Sequence, residues 1–241
     1  MKREWRRFAV LAGLVLGMLA GLVAGWKLQT PPPPGDRPIA PLSLSAMPER
    51  PVRIVAFGSS LTRSSPWPVE LEGELADCLD HPVEVLRIAR SGAGSAWGLQ
   101  AVNEVVAAGP DLVLVEFAIN DADLLDGVSL RRGKAQHAAL IARLQETVAP
   151  GHVVLLTMNP VGGLHAALRA PLARHYAQLG ELADRHGAAL ADLYGDWMAR
   201  PAAQRRFADG LHPAPHQVRQ VVLPGLVRRI GMAAGRACMP G

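Results

Sequence analysis

Five short, almost continuously apolar runs, at 52–57, 83–88, 111–117, 152–157 and 188–193, alternate along the chain with longer amphipathic stretches. Runs of about five to seven such residues read as strands buried on both faces. The stretches between them, at 67–79, 98–108, 130–148 and 171–186, read as helices, with a last one after Pro213. Regular strand–helix alternation implies a parallel sheet covered by helices on both sides, an α/β fold. With no internal repeat and no second break in composition, 52–241 reads as one domain.

Two segments precede it. Residues 8–26 carry no charged and no strongly polar side chain, and nineteen residues at about 1.5 Å each make roughly 28 Å of helix, close to a bilayer core. Residues 1–28 therefore read as an uncleaved signal anchor in a cytoplasmic membrane, single-pass, the alternative being secretion after cleavage. Lys2, Arg3, Arg6 and Arg7 before the span place its N-terminus in the cytoplasm and the rest of the chain in the periplasm or another extracytoplasmic space. Gly13, Gly17, Gly21 and Gly25 would line one face of that helix, a surface suited to a partner helix or a second copy. The stretch 29–51, with Pro31 to Pro34 in a row, reads as a semi-rigid polyproline linker.

The formal charge of +4 is confined to residues 1–40, where six basic residues face two acidic ones; the remaining 201 residues carry 19 of each. A body without a basic excess gives no electrostatic reason to bind nucleic acid. Two cysteines, Cys78 and Cys238, exclude a disulfide-framework mini-fold and a multi-cysteine zinc site. The histidines show no paired ligand spacing, so neither metal nor other cofactor is expected.

Chemistry in such sheets gathers at the carboxyl ends of the strands. Gly58-Ser59-Ser60-Leu61-Thr62 follows the first strand, Ser91-Gly92-Ala93-Gly94 the second, Ala118-Ile119-Asn120-Asp121 the third, and Asp209-Gly210-Leu211-His212 comes after the fifth. Together these supply the parts of an acyl-transfer site: a serine on a tight turn, a histidine to take its proton, a carboxylate to orient the histidine, and donors for an oxyanion. Ser60, His212 and Asp209 are the candidates for the triad, with the backbone N–H groups of Ser60 and Gly92 and the amide of Asn120 as the oxyanion hole.

In this order the blocks resemble those of the SGNH or GDSL hydrolases, in which Gly-Asp-Ser-Leu, an oxyanion glycine, Gly-x-Asn-Asp and Asp-x-x-His occupy the same places. The resemblance runs from Val52 to about Pro215. It implies a three-layer α/β/α sandwich with a five-stranded parallel sheet in the flavodoxin-like order 2-1-3-4-5, and a serine esterase. Two positions depart from the pattern: Ser59 stands where the family has aspartate, which changes how the nucleophile loop is held, and Ala118 replaces the opening glycine of the third block. The resemblance gives Asp121 a loop-holding role.

Arg63, Arg90, Trp97 and Asn159 lie near these blocks in sequence or at the same sheet edge and are candidate substrate-binding residues; Trp67 could stack on a sugar or simply pack. Short intervals between motifs leave little room for a large lid, which suits a short acyl group, acetyl above all, on a bulky alcohol such as an acylated polysaccharide. A lysophospholipase, a thioesterase or a sugar O-acyltransferase would use the same site, and a non-catalytic anchored scaffold is the reading from another class. In the expected strand order the first and last helices lie side by side, so a Cys78–Cys238 bridge is geometrically conceivable. The alternative is a buried thiol at Cys78 and a loose tail at Cys238.

Overall fold

The computed structural model describes residues 30–46 and 50–238. The apolar span 8–26 and its glycine ladder lie outside those residues. Among the described residues no helix is long and apolar enough to cross a membrane.

Five parallel strands, β1 (Val52–Gly58), β2 (Val83–Ala89), β3 (Leu112–Glu116), β4 (Val153–Thr157) and β5 (Ala189–Asp192), form one sheet in the order β2-β1-β3-β4-β5. The buried runs are continuous because helices cover both faces: β3, β4 and β5 are buried at every residue. Strand β2 is an edge and is only half-buried, with Glu84 paired across to Arg53 of β1 at 2.8 Å.

Nine helices are described: α1 (Ser60–Arg63), α2 (Trp67–Leu79), α3 (Ser95–Ala107), α4 (Ala118–Asp121), α5 (Leu130–Leu144), α6 (Gly163–Leu168), α7 (Leu172–His186), α8 (Leu193–Met198) and α9 (Pro215–Ala233). Helix α2 packs on α9, while α5 packs on both α3 and α7. The long helices sit where hydrophobic periodicity puts them, whereas α1 and α4, four residues each, are too short to have a period. Helix α3 begins at Ser95, before the expected 98, because a side chain outside the helix, Asp121, accepts from the Ser95 N–H at 2.8 Å.

The neighbouring α2 and α9 bring Cys78 and Cys238 together as a disulfide with Cα atoms 5.6 Å apart, across 160 residues of sequence.

The proline-rich stretch departs from its expected form as a spacer, because residues 33–42 lie along the body. Arg37 forms an antiparallel bridge to Leu190, donating to its carbonyl at 2.9 Å and accepting from its N–H at 3.0 Å, which covers the free edge of β5. Prolines cannot donate, but the N–H groups between them can: Gly35 donates to Asp192, Ala40 to Gly151 and Leu42 to Ala233. Leu42 is buried, and Asp36 accepts from Arg229 at 2.8 Å. A segment that builds no regular element of its own is thus held by the body.

Candidate active site

All four motif blocks lie after the carboxyl ends of their strands. Strand β1 ends on Gly58, which leaves room for a sharp turn: a Cβ there would stand 2.8 Å from Glu116 Oε2 and 2.9 Å from the Glu116 carbonyl. Ser59 then caps α1 by accepting from the Leu61 N–H, and Ser60 opens the helix.

Ser60 Oγ lies 2.9 Å from His212 Nε2, and His212 Nδ1 lies 2.7 Å from Asp209 Oδ2. Asp209 Oδ1 also accepts from the backbone N–H groups of Leu211 and His212, each at 2.8 Å, so one carboxylate folds the loop and orients the ring. Burial works against the charge on Asp209, but the His212 N–H, its imidazole and the Leu211 N–H outweigh it and hold the carboxyl well below the usual range. The group therefore stays ionised across neutral pH. A half-buried serine hydroxyl, an imidazole and an acceptor-only carboxylate in series can move a proton off the serine.

Gly92 has φ +73°, the left-handed region that favours glycine, and turns the chain after β2. Asn120 Nδ2 donates to Ala93 O at 3.0 Å, which brings the asparagine amide against the Gly92 loop. Gly92 and Asn120 share a polar cleft of about 280 Å3 with Arg90, Trp97, Asp123, Asp126 and Arg169. Ser60 and His212 line a second cleft of about 100 Å3 with Ser64, Ser65, Trp67, Met158 and Val218. Asp121 is buried and holds the start of α3, a loop-fastening position.

The four residues expected to contact substrate are distributed unequally. Arg90 and Trp97 line the polar cleft, with the guanidinium 5.3 Å from the indole ring, so each is partly engaged by the other. Arg63 is exposed and lines neither cleft. Asn159 touches the smaller cleft but is fully buried, and its Nδ2 donates to Leu211 O at 2.8 Å and Pro160 O at 2.9 Å. Its Nδ2 thus fastens the loop that carries His212, while its Oδ1 is buried without a partner. Trp67 is likewise buried, with Nε1 donating to Leu61 O at 2.9 Å beneath the serine turn, so its ring packs and is not free to stack on a sugar.

Two side chains escaped the sequence reading. Glu116 ends a strand and is fully buried under Ser59. Arg169, also buried, donates to Ile119 O at 3.0 Å and pairs with Asp123 at 2.8 Å, tying α6 to the Asn120 block. Nothing in the apolar run before Glu116 marks its last residue as polar floor for a turn; only the neighbouring Gly58, read as a partner across the sheet, could have pointed to it.

The profile of the GDSL-like lipase/acylhydrolase family matches residues 56–217, which span all four blocks. The chain belongs to this family. It is a carboxylic ester hydrolase by that membership. Among solved structures it is similar to a lipase/acylhydrolase from Enterococcus faecalis, at 22% identity over 78% of this chain and 99% of the other, with a TM-score of 0.64. It is similar also to Axe2, an acetylxylan esterase from Geobacillus stearothermophilus, at 17% identity over 81% and 97% with a TM-score of 0.64. The structure of TesA matches at 20% identity over 75% and 99%, with a TM-score of 0.59. At such identities the likeness is one of fold. No curated protein matches the chain.

Proposed function

We propose that the chain is an exported, membrane-anchored serine esterase that removes a short acyl group, acetyl foremost, from a glycan or another bulky alcohol. The observation that carries the reading is the continuous contact Ser60 Oγ–His212 Nε2–Asp209 at 2.9 and 2.7 Å. Ser60 Oγ attacks the ester carbonyl while His212 Nε2 takes its proton. The carbonyl electrons collect on an oxyanion, received by the N–H groups of Ser60 and Gly92 and by the Asn120 amide hydrogen not engaged with Ala93. His212 returns the proton to the leaving alcohol, the tetrahedral adduct collapses to an acyl-serine, and the same imidazole then activates water to release the acid.

The short acyl group is supported by the cleft on Ser60. At about 100 Å3 it is much smaller than the polar cleft of about 280 Å3. Acetylxylan esterases among the structures of like fold point the same way. Export and anchoring are supported by the apolar span 8–26 with its preceding bases and by the Cys78–Cys238 disulfide, a bond that persists in oxidising compartments. A second reading, a lipid-like acyl substrate, is favoured by Leu124 and Leu125, which are 62% and 75% exposed and stand between Asp123 and Asp126 of the polar cleft.

An acyl series from acetyl to palmitoyl on a common alcohol, together with acetylated glycans, tests the reading. Highest kcat/KM for acetyl with release of acetate from glycan is expected. A rise in kcat/KM with chain length would replace it by the lipid reading, and acyl transfer to an added sugar in preference to water would make the protein a transferase.

A further inference from the structure

Glu116 sits within a buried layer that the proposed chemistry does not use, yet its carboxylate is the floor of the serine turn. Oε2 accepts from the Ser59 N–H at 2.9 Å, from the Ser59 hydroxyl at 2.8 Å and from the Thr62 hydroxyl at 3.2 Å. The Ser59 hydroxyl in turn accepts from the Leu61 N–H at 3.3 Å. The residues on either side of Ser60 are therefore tied, directly or through one hydroxyl, to a single carboxylate. Gly58, paired with Glu116 across the sheet, lacks the Cβ that would block this contact.

We infer that Glu116 is a positioning residue for the reaction: in its ionised, acceptor-only form it fixes the turn on both sides of Ser60 and so holds Oγ in line with His212 Nε2. The inference rests on the reading of Ser60 as nucleophile. The contact has a cost to the fold. Burial raises the Glu116 carboxyl to about 7, with the Asp121 carboxylate adding to the rise and the Ser59 and Thr62 donors opposing it. Tyr176, on α7, is a further titratable group within its electrostatic reach. A carboxyl at 4.5 when unfolded and near 7 when folded stabilises the protein in acid and loses that contribution as pH rises through 7. A purely structural side chain there would be better as an uncharged one; a carboxylate retained at this cost suits a demand made by the turn.

The test uses the full chain in detergent with Glu116→Gln, which keeps the shape and removes the charge. It reads the rate of fluorophosphonate labelling, kcat and KM for p-nitrophenyl acetate, and the melting temperature at pH 5 and pH 8. The expected result is a fall of about 10- to 100-fold in labelling rate and kcat with KM within about twofold, the scale of a misplaced reacting group. The melting temperature of the variant relative to the wild type should rise from pH 5 to pH 8, because Gln does not titrate. Labelling and kcat within about twofold of wild type would overturn the inference, as would a loss of activity matched by a loss of folded protein at pH 8. Thr62→Val, which removes one donor to the carboxylate with little change of shape, should slow labelling about three- to tenfold at unchanged KM; an unchanged rate would overturn the inference even where the Gln variant does not fold. Failure of the underlying reading is separate, because the labelled peptide from the wild type would then not contain Ser60.

Discussion

Ser59 is fastened to a carboxylate 57 residues away, at the end of another strand, whereas His212 is oriented by a carboxylate three residues away in its own loop. The serine turn is buried below and depends on sheet register, since Gly58 and Glu116 are opposite one another in β1 and β3. The Asp209–His212 loop has exposed side chains, and Asn159 fastens it from below at Leu211. The contrast teaches that the two halves of the proposed proton path can be specified by different physics. One half is set by long-range packing and the other by a local turn clasped from outside at Gly210, by the Gly162 N–H, and at Leu211, by Asn159.

Substitutions can break or sharpen that contrast. His212→Ala should be the most damaging after loss of the serine itself, lowering kcat/KM by at least about 10⁴-fold, because no other group in the loop can carry the proton. Asp209→Ala removes the orienting acid and the cap of the loop together but should cost less, on the order of 10³-fold, since backbone or water replaces part of its role. Asn120→Ala should lower kcat by about 10² to 10³ with little change in KM, because its donor acts on charge that exists only in the transition state. A rise in KM alone would make it a substrate-binding group.

Asn159→Leu tests the clasp on the exposed half. Steady-state kinetics should show kcat reduced by about tenfold with the fold intact, the effect of loosening a supporting contact. The smallest effect on chemistry should come from Cys78→Ala with Cys238→Ala. Denaturant unfolding should register a loss of up to about 5 kcal/mol in the chain-entropy picture for a loop of this length, while kcat stays within about twofold, because the bridge joins α2 to the segment beyond α9 and touches neither half of the site.

The exposed half was legible in the sequence for the reason it folds locally: Asp209 and His212 are close in the chain, and their spacing carries the chemistry. The order of the strands and the positions of the long helices were legible too, because burial on both faces and helical periodicity leave their mark on composition. Glu116 was not, since its partners come from another strand and a lone acid closing an apolar run reads as a surface residue. Asn159 appeared as a residue facing a ligand because only its place at the sheet edge is visible in sequence, not the carbonyls that occupy its amide. The strap at 33–42 was hidden by its prolines, which mark what it cannot form but not the edge of β5 to which its few N–H groups attach.

The central claim is that Ser60 is the nucleophile. Fluorophosphonate labelling of the full chain, followed by peptide mapping and repeated on Ser60→Ala, tests it most directly. One labelled site at Ser60 is expected, with label and ester hydrolysis both lost in a variant that keeps the melting behaviour of the wild type. Label on a different residue, or hydrolysis retained by folded Ser60→Ala, would contradict it.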